Sequence, residues 1–152
     1  MSESEQPASA PESTVTVLVY SDDASIRERV KLALGRRPAA DLPRVEYLET
    51  ATEPACRKAL DSGTVDLAIV DGEATPAGGL GICRAAKNEV FRCPPVLALI
   101  ARAQDAWLAK WSQADGVVMY PLEPVSLAAA AAKLLRGRQE LTTTGDAITS
   151  PG

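Results

Sequence analysis

Short apolar runs alternate with amphipathic stretches along most of this chain. Val15–Tyr20 (VTVLVY), Val65–Val70 (VDLAIV) and Val96–Ala101 (VLALIA) are mostly apolar and rich in branched residues. Runs of this length, bounded by turn formers, predict strands buried on both faces. Arg44–Leu48 and Val117–Tyr120 predict two weaker strands. Between them the apolar positions recur at helical spacing. Ile26, Val30, Ala33 and Leu34 mark a helix that Asp22 or Asp23 can cap and Gly35 ends. Thr52 caps a second helix carrying Ala55, Cys56, Ala59 and Leu60, with Pro54 in its first turn and Gly63 as its stop. Gly79–Val90 is a third, with Leu80, Ile82, Cys83 and Ala86 inward. Asp105–Ala114 is a fourth, containing Trp107, Leu108 and Trp111. The last opens at Pro124 and Ser126, runs through Leu127, Ala130, Ala131, Leu134 and Leu135, and is expected to close at Gly137.

Five strands alternating with five helices predict an α/β fold: a doubly wound three-layer sandwich around a parallel sheet. Alternation alone does not order the strands. The domain is expected over residues 14–137. Residues 1–13, made of Ser, Glu, Pro and Ala without periodicity, and residues 138–152 are expected to be flexible tails.

Composition narrows the function. Of 152 residues 46% are apolar, enough for a core of its own, and the net charge is -4. That sign disfavours nucleic acid or an anionic membrane as partner. No run has the length of a membrane span and no signal peptide is visible at the N-terminus, so a cytoplasmic location is expected. Cys56, Cys83 and Cys93 lack metal-ligand spacing, and an odd number argues for free thiols. Histidine is absent, which removes His-based triads and zinc sites with His ligands. The turn after the first strand is Ser-Asp-Asp, which would repel a pyrophosphate, and no P-loop occurs.

The remaining chemistry lies at the strand ends. In an open α/β sheet ligands bind outside the carboxyl ends of strands. There the sequence places Ser21, Asp22 and Asp23, then Asp71, then Tyr120-Pro121. Two or three carboxylates at one edge suit Mg²⁺, and Asp71 could then accept a phosphoryl group as an acyl phosphate. The alternative is a helix cap plus a solvated loop residue. The residues by themselves leave both open.

The order and spacing of VLVYSDDASIR, DLAIVDGEATPAGGLGICR, PPVLALIAR and DGVVMYPLEPVSL resemble the receiver domain of bacterial two-component response regulators, the CheY-like family. The resemblance spans Val15 to Arg136. It implies a flavodoxin-type sheet of order 2-1-3-4-5, with two helices on one face and three on the other. It implies a signalling switch rather than an enzyme, with a sensor kinase or downstream effector as partner.

Carried over by position, Asp71 falls on the phosphoacceptor. Asp22, Asp71 and Glu73 fall on the Mg²⁺ positions, with Ser21 in place of an acidic residue. Gly79 and Leu80 match the opening of the third helix, while Thr75 takes the usual proline slot and Pro76 is displaced by one. Ile100 stands where the family has a switch Ser or Thr, and Tyr120 replaces the Lys before the proline, here Pro121. Val117 stands where an aromatic is usual. The site has thus lost a hydroxyl and a positive charge. An atypical, stand-alone receiver follows: a protein-interaction module with weakened or lost Mg²⁺-dependent phosphorylation. The competing readings are a working phosphoacceptor at Asp71 and a small flavodoxin-like ligand-binding protein.

Too few residues follow Arg136 for a DNA-binding module, so output is expected from the domain surface. The expected face is the fourth helix, fifth strand and fifth helix, with Trp107, Trp111, Val117, Ser126 and Leu127, and it could also join two copies. Trp107 and Trp111 share one helix face, and the sequence leaves open whether they pack on the sheet or face a partner.

Overall fold

The computed structural model describes residues 13–149. The expected N-terminal tail, apart from Ser13, lies outside the described residues, as do residues 150–152. Five strands form one sheet: β1 (Thr14–Tyr20), β2 (Arg44–Thr50), β3 (Leu67–Asp71), β4 (Val96–Ile100) and β5 (Gly116–Met119). All neighbours are parallel and the order is β2-β1-β3-β4-β5, the predicted 2-1-3-4-5 arrangement.

Side-chain alternation divides the core in two. Val15, Val17 and Val19 of β1, with Leu67 and Ile69 of β3 and Leu97 and Leu99 of β4, point to one face. There they meet α1 (Ala24–Leu34) through Val30 and Leu34, and α5 (Pro124–Thr149) through Leu127, Ala131 and Leu135. The alternate residues Leu18, Tyr20, Ala68, Val70, Val96 and Ala98 point the other way. They meet α2 (Glu53–Asp61) at Cys56 and Leu60, and α3 (Gly79–Glu89) at Ile82, Cys83 and Ala86. Strands covered on both faces run apolar, and β3 and β4 are buried at every position, with Asp71 at the end of β3 as their one polar residue. All three thiols are free, Cys56 and Cys83 buried and Cys93 half-buried.

Helix boundaries follow local chemistry. Asp23 is the residue that caps α1, accepting from the Ser25 amide at 2.8 Å. Gly35, at φ 63°, ends it in a conformation that costs other residues energy. α4 is shorter than its pattern suggests. A 3-10 turn over Ala103–Asp105 precedes it, and only Ala106–Trp111 is α-helical. Arg102 holds the Asp105 carboxylate at 3.0 Å, so this aspartate does not cap the helix, and Gln113 turns the chain at φ 68°.

The expected stop of the last helix is corrected by the structure. α5 continues through Gly137 to Thr149, so residues 138–149 belong to a helix. Gly137 keeps a helical backbone, and strong helix formers precede it from Leu127 to Leu135. A glycine inside a helix weakens it by about 1 kcal/mol relative to alanine without forcing an end.

One ion pair joins the loop after α1 to α5. Arg136 donates from Nε and Nη2 to the two oxygens of Asp41, each at 2.8 Å. This fork lowers the Asp41 pKa to about 2. A carboxyl depressed in the folded state contributes stability above its ordinary pKa and loses it as the pH falls toward the folded value. Arg136→Gln should therefore return the Asp41 titration, followed by carboxyl NMR, to near the ordinary aspartate value, and should flatten the acid limb of the stability profile between about pH 4 and pH 2.

Candidate functional site

Asp71 ends β3 and is 3% exposed. Its surroundings are built by close backbone approach. A Cβ on Gly72 would lie 2.7 Å from the Leu99 carbonyl oxygen, and one on Gly79 would lie 2.8 Å from that of Asp71. Only glycine lets β4 and the start of α3 crowd the strand end in this way. The Tyr20 hydroxyl, from β1, donates to the Ala77 carbonyl and fixes the intervening loop from below.

Both oxygens of Asp71 are occupied. Ser21, at the end of β1, donates its hydroxyl to Oδ2 at 2.7 Å. Tyr120, just past β5, donates its hydroxyl to Oδ1 at 2.9 Å. The Glu73 amide donates to the same Oδ1 at 2.9 Å. A carboxylate taken out of water needs such donors, because an unsatisfied one costs several kcal/mol. Burial, reinforced by the neighbouring Asp71 charge, pushes the Tyr120 hydroxyl well above its ordinary pKa. Tyr120 therefore remains a neutral O–H donor. Pro121 follows through a cis peptide bond. Ser21 is itself held, accepting from the Asp23 amide at 3.0 Å, while its carbonyl accepts from Arg27 Nη1 at 2.6 Å.

The expected metal set is not brought together. Among the described residues no three His, Cys, Asp or Glu side chains cluster as ligands. Asp22 faces the loop after β3, where its oxygens accept from the Thr75 amide at 3.1 Å and the Thr75 hydroxyl at 3.2 Å. The Glu73 side chain is exposed. With Ser21 neutral and both Asp71 oxygens engaged, the residues as arranged do not fit a Mg²⁺ centre. Ile100 is 2% exposed and presents no hydroxyl; its carbonyl accepts from the Tyr120 amide at 2.9 Å.

The expected interaction face is partly corrected. Leu127 is fully buried under α5 and contributes to the core, because it lies on the helix face turned to the sheet. Ser126 is exposed and bonded to Glu123 Oε1 through its amide and its hydroxyl, each at 2.8 Å. Trp107 and Trp111 do not pack on the sheet: they are 67% and 48% exposed. The Arg84 guanidinium lies 4.9 Å from the Trp111 ring centre, a cation–π contact, and donates to the Trp111 carbonyl. Val117 is exposed on the edge strand. Met119 and Val125 are also exposed, and sequence reasoning missed both. The period-two pattern of β5, which puts Met119 beside Val117, was a usable signal for the first.

A five-stranded parallel sheet of this order, with an aspartate at the end of its third strand, defines the class of receiver-like doubly wound domains. Relatives and solved structures agree with this class. No family model matches the sequence. Two response regulatory proteins of Mycobacterium tuberculosis, from strains CDC 1551 / Oshkosh and H37Rv, are each 49% identical over 120 residues, covering 79% of this chain and 90% of the relative. The chain belongs to the CheY-like receiver domains of two-component response regulators, which are signalling modules. Solved structures share the fold at lower identity. A putative response regulator from Chloroflexus aurantiacus has a TM-score of 0.70 at 20% identity, covering 82% of this chain and 99% of that one. The chemotaxis response regulator CheY4 of Vibrio cholerae has a TM-score of 0.67 at 20% identity, covering 80% and 99%. Among the described residues no helix is long and apolar enough to cross a membrane.

The hydrogen bonds to Asp71 make a direct prediction. Tyr120→Phe should cost about 1–3 kcal/mol in urea unfolding, because it removes a donor from a buried carboxylate. In an Asp71→Ala background the same change should cost much less, and a double-mutant cycle measures the difference.

Proposed function

We propose that this domain is an atypical receiver that signals by binding a protein partner, with conventional Mg²⁺-dependent phosphorylation weakened or lost. The observation that carries this reading is the closure of Asp71 by the Ser21 and Tyr120 hydroxyls. A phosphoryl transfer to Asp71 needs a free carboxylate oxygen and positive charge to stabilise what develops on the phosphoryl group. Here hydroxyl donors supply hydrogen bonds without charge, and among the described residues no lysine or arginine donates to Asp71.

The binding face proposed for output is formed by α4, β5 and the start of α5. Trp107, Trp111, Val117, Met119 and Val125 supply exposed apolar area there. Tryptophan is enriched among residues that dominate binding energy. A sensor-kinase-type protein or a downstream effector is the partner class that the family suggests, and a second copy is a further one.

A working phosphoacceptor is the second reading. It is favoured by the intact Asp71 at the end of β3 and by the half-buried position of Tyr120, whose ring could turn outward. Treatment with acetyl phosphate and Mg²⁺, followed by intact-mass measurement, separates the two. The expected result is no stable adduct on the wild-type chain, and a gain of adduct in the Ser21→Asp/Tyr120→Lys double variant. A stable, Mg²⁺-dependent adduct on wild-type Asp71 would establish the second reading instead.

A further inference from the structure

A second concave site lies at the other end of the sheet. Asp71 sits at the carboxyl ends of the strands, whereas this cavity opens beside the amino ends of β4 and β5. Its volume is about 390 Å³, and Pro95, Asp115 and the half-buried Cys93 line it from the strand side. That volume falls in the range of ligand pockets, about 300–1,000 Å³. Lys87 lines it from the end of α3. Lys133, Leu134, Gly137 and Arg138 line it from α5. Their spacing places them on one helix face.

The charges around the cavity are uneven. Three cations, Lys87, Lys133 and Arg138, border it against one carboxylate, Asp115, in a chain whose net charge is -4. Lys87 is already committed: its ammonium donates to Asp115 Oδ2 at 2.6 Å and to the Pro94 carbonyl at 3.2 Å. Asp115 Oδ2 also accepts from the Val96 amide at 2.8 Å, so this wall is fixed. Arg138 is engaged as well: its Nε lies 3.8 Å from Asp66 Oδ1, and it makes a further contact besides. Lys133 has no ion-pair partner among the described residues. The floor between these charges is apolar, made by Leu134, Pro95 and the Cys93 side chain.

Gly137 supplies an independent observation. It weakens the helix it sits in, and a Cβ built on it would meet nothing within 4 Å. No close packing calls for a glycine here. What its missing side chain leaves is open space on the cavity wall.

We infer that this cavity is a binding site for a small organic anion, an apolar or aromatic body bearing one acidic group, with Lys133 meeting the charge and Leu134 and Pro95 the body. The site is separate from Asp71 and does not depend on how that residue behaves.

The test uses the full chain and anilinonaphthalene sulfonate, an aromatic anion that fluoresces when its body leaves water. Binding is read by fluorescence titration, and its location by the rate at which iodoacetamide alkylates Cys93, the one thiol that is not buried. The expected result is saturable binding at one equivalent, with Cys93 alkylation slowed about tenfold at ten times the Kd. Lys133→Glu, at an exposed position, should weaken binding about fivefold or more. Gly137→Leu should fill the cavity and abolish Cys93 protection, while urea unfolding shows the fold intact. The uncharged analogue phenylnaphthylamine should bind more weakly than the sulfonate. No binding, binding that leaves the Cys93 rate unchanged, or binding indifferent to both Lys133→Glu and loss of the sulfonate would overturn the inference. The second of these outcomes would place the probe outside this cavity.

Discussion

The hydrogen bonds that close on Asp71 set the character of this molecule. They arrive from the end of β1, from the backbone just after β3 and from the residue after β5, so one carboxylate ties together segments 50 residues apart in one direction and 49 in the other. A buried carboxylate is costly by itself and becomes tolerable only when its oxygens are matched with donors. Here the match is made by hydroxyls and an amide, none of which carries charge. The arrangement is self-sufficient: it needs no ion to hold it. A site that must release and rebind a metal and a phosphoryl group calls for groups left waiting for those partners. This one is internally satisfied.

Much of the architecture was written in periodicity. The apolar runs of β3 up to Asp71 and of β4 and the helical spacing in α1 and α3 follow directly from burial on two faces and on one, and the caps at Asp23, Thr52 and Gly35 obey local stereochemistry. The strand order was legible only through the family resemblance, since alternation does not encode which strands are neighbours. The end of α5 was misread because glycine punctuates helices statistically, while at Gly137 its neighbours' propensity prevails. The short α4 was misread for the opposite reason: its apolar residues had the right period, but Asp105 gives its carboxylate to Arg102 instead of the helix end.

At the candidate site, sequence could name the positions but not the contacts. Loss of a lysine at Tyr120 and of an acid at Ser21 was visible one residue at a time. That the two replacements converge on the same carboxylate was not, because it depends on strands meeting in space. Asp22 shows the same limit. Its position suggested a metal ligand, yet a hydroxyl and an amide at Thr75 lie within reach and take up its oxygens. The exposure of Trp107 and Trp111 also required the fold, since helical spacing gives a shared face without saying which way it turns.

The placement of those two indoles has an optical consequence. The chain contains two tryptophans, both on α4, both in contact with water, and one beneath a guanidinium. Its intrinsic indole emission therefore originates from one short surface helix and reports little about the sheet beneath. Loss of the core would change that light only modestly, whereas anything that settles over the helix would shift it at once. The protein carries a native fluorophore on the face where a partner is expected to land.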